Sequence, residues 1–206
     1  IDLLLPLLPS PNSLSIDQKY LLLWNLARRC SEVRFITHLN KEQRLDYFEQ
    51  GETFALAAQS LRPKGIQGHY WYGILLGRAA EERGVLDSLF SVGPIHDTMK
   101  TIIDIDPTFH RAYFVLARLH RKAPPFISIG DTEKAKDYIH KAIQLAPKET
   151  YYPLELGHIH QDRGERESAI SAYQKVLDLP IREGDFLPVI HENKAKAQKA
   201  LDDLKD

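Results

Sequence analysis

The chain has 206 residues, 43% of them hydrophobic, which is enough for one domain, or two small ones, with a real core. Its 28 acidic and 27 basic side chains leave a formal charge of −1, and that balance excludes the strong basic excess of a nucleic-acid binder. The one cysteine, Cys30, excludes an internal disulfide and any multi-cysteine metal site, and no apolar run reaches the roughly 18–20 residues that a membrane helix needs.

The chain opens with "IDLLLPLLPSPN", apolar but short and broken by Asp2, Pro6, Pro9 and Pro11. It lacks the basic flank and small-residue cleavage site of a signal peptide, and its first residue, Ile1, points to processing or trimming. Residues 1–15 read as an apolar N-terminal extension. Leu3, Leu4, Leu5, Leu7 and Leu8 need cover, since each buried leucine contributes roughly 1.5–3 kcal/mol. They would pack on the first helices, lie in a groove, or contact a neighbouring subunit, and the last case makes a homo-oligomer an alternative reading.

From residue 16 to 181 a helical repeat runs through the chain. A leucine followed by a small residue recurs at Leu26-Ala27, Leu76-Gly77, Leu116-Ala117 and Leu156-Gly157, the last three pairs spaced by 40. Each is followed by a second pattern that ends in proline: Gly51, Ala55, Ala58, Pro63; Ile95, Met99, Ile102, Pro107; Ala135, Ile139, Ala142, Pro147; Ala169, Tyr173, Val176, Pro180. Small residues on the first helix let the second approach closely, residues four and three apart share one face of the second, and proline ends it. The distance from small residue to second helix is 12 in the last copy (157 to 169), 18 in the second and third, and 24 in the first (27 to 51). The extra residues predict extended inter-helix loops. In the third copy these include "KAPPFI", where Pro124 and Pro125 stop the first helix, Gly130 permits the turn, and Asp131 or Ser128 caps the next helix. The second copy has "VLDSLFSVG" at the equivalent place, and Gly164 occupies the inter-helix turn of the fourth.

Residues 182–206 read as a C-terminal capping helix, because an end repeat has no neighbour for its outer face. Ile190, Ala197, Leu201 and Leu204 form its apolar stripe, with Lys194, Lys196, Lys199 and Asp203 toward water. The predicted fold is all-α: an α-solenoid of about four helical hairpins with extended inter-helix loops and that cap.

This is the pattern of the tetratricopeptide repeat (TPR). The stretches "LLWNLARRC", "HYWYGILLGRAAEERG", "IDPTFHRAYFVLARLHRKAPPFISIGDTEKA" and "KAIQLAPKE" resemble more closely the TPR proteins associated with TRAP transporters (TatT-like), and the related regulators of microtubule dynamics. The resemblance covers roughly residues 18–180. It implies stacked helical hairpins with an apolar cavity that holds a small organic acid or docks a protein partner, and a periplasmic location on the TatT-like side, cytoplasmic otherwise.

The search for chemistry is nearly empty. There is no glycine-rich phosphate loop, no nucleophile elbow and no His-Glu-x-x-His motif, so no enzyme, metal or cofactor is expected. His158 and His160 are two apart and point to different sides of a helix. His120 and His160 share a repeat column with Cys30 and Ala80 that TPRs fill with packing residues. The cluster Glu81, Glu82 and Asp87 reads as a solvated helix end.

One column is informative. The residue after each small residue is Arg28, Arg78, Arg118 and His158, a position that faces the concave wall of a TPR stack. Stacked cations there suit a carboxylate, phosphate or acidic peptide; the bland alternative is a set of local ion pairs, such as Arg78 with Glu81 or Glu82. Trp24, Trp71, Tyr72, Ile74, Phe114, Tyr151 and Leu154 are placed on the same wall, with packing expected for Trp71 and groove-lining for Tyr72, Phe114 and Tyr151. The expected function is a non-enzymatic scaffold whose ligand or partner groove uses Arg28, Arg78, Arg118, His158, Tyr72, Phe114 and Tyr151. Its partner would be a protein or peptide, or a small organic acid, with no nucleic acid and no membrane span.

Overall fold

The computed structural model describes residues 14–204. Among these residues every regular element is helical, and they divide after Pro107 into two compact units.

The first unit contains α1 (Ile16–Glu32), α2 (Lys41–Leu61), α3 (Ile66–Arg83) and α4 (Val85–Ile105), with a single 3-10 turn at Val33–Phe35 between the first two. Reciprocal caps start α1 and α2. Ser15 Oγ accepts from the Gln18 backbone while Gln18 returns the bond, and Asn40 with Gln43 does the same. Successive helices pack side by side, and α1 also reaches α3. The small residues do what the spacing demands: Ala27, Ala55 and Ala58 are wholly buried, and a Cβ on Gly51 would lie 2.7 Å from Cys30 Cβ.

The second unit contains α5 (His110–Lys122), α6 (Thr132–Leu145), α7 (Tyr151–Asp162), α8 (Arg166–Asp178) and α9 (Leu187–Asp203). Here α5 pairs with α6 and α7 with α8, while α6 and α5 both touch α7. Gly157 is where α7 meets α8 most closely, since a Cβ there would come within 2.4 Å of the buried Tyr173 ring. Helix α9 covers the α8 face, with Ala197 and Leu201 joining Leu154, Ala169, Tyr173 and Val176 in one core cluster.

The extra residues of the repeats are accommodated in two ways. In the third copy they form the expected loop: α5 stops at Lys122, and Asp131 caps α6 by accepting from the Glu133 and Lys134 amides, both at 3.0 Å. The backbone folds back so tightly that a Cβ on Gly130 would fall 2.0 Å from the Ala123 carbonyl oxygen, so close approach demands glycine there. In the second copy the extra residues are helical instead, and in the first they are divided between the connector 33–40 and the early turns of the second helix. Helix α2 starts at Lys41 and α4 at Val85, each well ahead of the small-residue face it carries, and a single residue, Gly84 at φ +135°, separates α3 from α4. Counting a gap fixes how many residues intervene but not their conformation, and "VLDSLFSVG" carries no breaker until Pro94, which α4 accommodates on an exposed flank.

Two side chains depart from their expected places. Lys194 does not face water but donates from Nζ to the carbonyls of Leu177 and Leu179, both at 2.7 Å, satisfying the C-terminal end of α8. Leu154 belongs to the α7–α8–α9 core, not to a groove wall.

Candidate functional site

Four of the seven expected wall residues come together in the second unit. Tyr151, Glu155, His158 and Asp162 are spaced by 4, 3 and 4 along α7, which stacks them on one face, and that face meets α5. From α5, Phe114 sets its ring 5.5 Å from both Tyr151 and Tyr152, and the Arg118 guanidinium lies 5.9 Å from the centre of the Phe114 ring. Cation and ring are therefore adjacent at the edge of range for a cation–π contact.

The centre of this wall is a carboxylate that the sequence reading did not single out. Glu155 is 4% exposed. Arg121 Nε donates to its Oε1 at 2.6 Å, and Arg121 also reaches Asp162 at 3.1 Å. Arg118 Nε lies 3.9 Å and His158 Nδ1 3.7 Å from the other oxygen. Burial would raise the Glu155 carboxyl, but His158 and the Arg121 and Arg118 guanidiniums outweigh it and hold the group down to about 2. Glu155 is thus a fixed buried anion around which two members of the basic column are oriented. Arg121 and Glu155 stand 34 residues apart, the length of one TPR repeat, and that was the available signal.

In the first unit the column is arranged differently. Arg28 pairs with Glu32 at 3.0 Å one turn along α1, and Glu32 also takes Arg29 at 2.8 Å. Glu82, a candidate partner for Arg78, is engaged by Arg44, whose Nε and Nη2 grip both carboxylate oxygens at 2.6 and 3.1 Å and tie α2 to α3. Arg78 and Tyr72 are half-buried on α3, while Trp71 is buried edge-on to Tyr70 at 5.0 Å.

The other histidines brace turns. His120 donates from Nδ1 to the Ile129 carbonyl at 2.7 Å and stacks on Tyr138, so it pins the proline loop to α5. His160 binds Glu165 across the α7–α8 turn, where Gly164 takes φ +71°. Cys30 is wholly buried, and burial pushes its thiol up to about 11, which leaves it protonated and unreactive. No helix among the described residues is long and apolar enough to cross a membrane. The Leu3–Leu8 stretch lies outside the described residues.

Antiparallel helix pairs that bring aromatic and charged side chains onto one wall define a tetratricopeptide-repeat protein, a class typically built as a non-enzymatic protein-interaction scaffold. The TPR model matches residues 126–149 and 154–180. The model for regulator of microtubule dynamics proteins 1-3 matches residues 10–124, more than half of the sequence, and the chain belongs to that family. Regulator of microtubule dynamics protein 3 of Rattus norvegicus is 28% identical over 107 residues, which is 52% of this chain and 22% of the rat protein. The match therefore spans less than a quarter of the relative's length. Among solved structures, TTC0263, a TPR protein of Thermus thermophilus, superposes with a TM-score of 0.61 at 19% identity, covering 87% of this chain and 82% of that one. YrrB, described as a TPR protein with an unusual peptide-binding site, gives 0.51 at 17% identity over 88% and 82%. At these identities both show the shared fold.

Proposed function

We propose that the chain is a non-enzymatic scaffold that holds an extended segment of a partner protein along the α5–α7 wall. The observation that carries this reading is the convergence of Phe114, Tyr151 and Arg118 around buried Glu155. The side chain of Arg118 keeps 42% of its surface exposed, with its Nε 3.9 Å from the Glu155 carboxylate that attracts it. A guanidinium held in place beside half-buried rings can take a carboxylate from the partner while the rings cover an apolar side chain. A peptide-binding site is ascribed to the TPR protein YrrB, which has the same fold, and that supports a peptide over a small organic acid as the occupant.

The test is selection of peptides from a random displayed library on the full chain, followed by affinity measurement on the Arg118→Ala variant. Selected peptides should pair an acidic residue with an aromatic or aliphatic one. Arg118→Ala should weaken them by about tenfold, the scale of one charge-assisted hydrogen bond, and should move the thermal midpoint little. Unaltered affinity for the selected peptides would refute the reading.

A further inference from the structure

We infer that a second subsite, for an acidic side chain of the same bound segment, lies between α7 and α9. The inference rests on the scaffold reading above and adds a position and a chemistry to it. The space is an open pocket of about 300 Å³ lined by His158, Gln161, Lys196, Lys199, Ala200 and Asp203. That is the low end of ligand-pocket sizes and suits one side chain or one anionic group. It is continuous with the α5–α7 wall through His158, which approaches Glu155 at 3.7 Å on one side and lines the pocket on the other.

The lining is rich in donors for a structural reason. Lys194, Lys196 and Lys199 all lie on α9, but only Lys194 is used up by the fold, at the α8 carbonyls. Lys196 and Lys199 are three apart, so they share a face. Each is held by one ion pair a single turn away, to Glu192 and Asp203, both at 2.6 Å. Their side chains are 55% and 76% exposed, and pairs of that kind contribute little, so the ammonium groups can turn to an incoming anion at small cost. Gln161 is oriented by Tyr173, whose hydroxyl donates to Gln161 Oε1 at 2.8 Å. Burial raises the Tyr173 hydroxyl well above its usual range, so it stays a donor. With its oxygen engaged, Gln161 presents its amide hydrogens. His158 is steadied from below by its edge-on contact with the Tyr173 ring at 5.6 Å. Asp203 is the single carboxylate of the lining and is matched by Lys199.

The test titrates an octaglutamate peptide into the ¹⁵N-labelled full chain. Backbone signals of Gln161, Lys196 and Lys199 should shift, and the Lys196→Gln/Lys199→Gln variant should bind the peptide about tenfold more weakly. Both lysines are exposed, so the variant should fold normally, which its amide spectrum verifies. No shift at those three residues overturns the subsite. If Arg118→Ala still weakens the library-selected peptides in that case, the scaffold reading survives alone; if it does not, both fall. Should the lysine variant instead lose sedimentation with phosphatidylserine vesicles while octaglutamate leaves the pocket signals unmoved, the site recognises a lipid surface and the peptide assignment is overturned.

Discussion

Replacing Arg121 by methionine removes the charge opposite Glu155 but keeps most of the aliphatic stem, so the effect isolates electrostatics from packing. The magnitude follows from the geometry. Side-chain exposure is 15% for Arg121 and 5% for Glu155, with 2.6 Å between them. Removing one partner of such a pair leaves an uncompensated buried charge, which costs about 3–5 kcal/mol. Arg118 at 3.9 Å and His158 at 3.7 Å remain and recover part of that, while the Asp162 contact, 44% exposed on the acid, adds little. The expected loss is about 2–4 kcal/mol. Glu155→Gln in the Arg121→Met background should return at least about 1.5 kcal/mol, because it removes the stranded charge. Urea titration followed by far-UV circular dichroism measures the loss, and hydrogen exchange on peptides from α5 and α7 locates it. Both tryptophans, Trp24 and Trp71, lie in the first unit, so their fluorescence reports separately on that unit. A loss below about 1 kcal/mol, or no recovery in the double variant, would show that Glu155 is not a buried anion held by Arg121.

Glu155 also sets an acid dependence. Its carboxyl is lowered from 4.5 to about 2, so its stabilisation is complete above the unfolded value and disappears as pH falls through that window. Glu155→Gln should therefore be less stable than the parent by roughly 3 kcal/mol at neutral pH, with the gap closing by about pH 2, as read by urea midpoints across pH. Gly157→Ala would drive a methyl group into the Tyr173 ring, which has no room to retreat within the core cluster; a loss of about 1–3 kcal/mol in thermal unfolding is expected, and a neutral result would contradict the close α7–α8 approach. His120→Phe keeps a ring against Tyr138 but removes the donor to Ile129, so amide exchange across residues 123–131 should quicken while α6 stays protected. Equal exchange in the loop would show that the prolines alone hold it.

The hairpin pattern was legible because steric limits leave permanent marks in a sequence. A helix pair that approaches as closely as α7 and α8 admits only glycine at 157, and the proline after each second helix records its end. Those constraints fix spacing, so Ala27, Ala55, Ala117 and Ala142 are buried where the repeat placed them. Conformation between the marks was less legible. "VLDSLFSVG" counts as extra length in the spacing, yet it is helical, and part of the long gap between Ala27 and Gly51 is helical too, begun by the Asn40–Gln43 cap. Glu155 was hidden for a different reason: an acid on a helix face reads as solvent-facing unless its partner is known, and that partner, Arg121, lies on another helix.

The pairing of the cations in the second unit bears on how such a wall would select its partner. The α5–α7 cluster offsets Arg118 and Arg121 with Glu155 and Asp162, and the α9 lysines are offset by Glu192 and Asp203. A surface balanced in this way exerts little long-range attraction, consistent with a chain whose formal charge is −1. An acidic segment would bind by partner exchange, displacing Asp203 or Glu192 rather than neutralising an isolated charge. Each new ion pair replaces an exposed one of small worth, so the anion contacts add a modest gain and the rings at Phe114 and Tyr151 add the burial they provide. Affinity for the selected peptides should then fall only mildly between about 50 and about 300 mM salt, whereas a wall of unbalanced cations would lose it steeply over the same range.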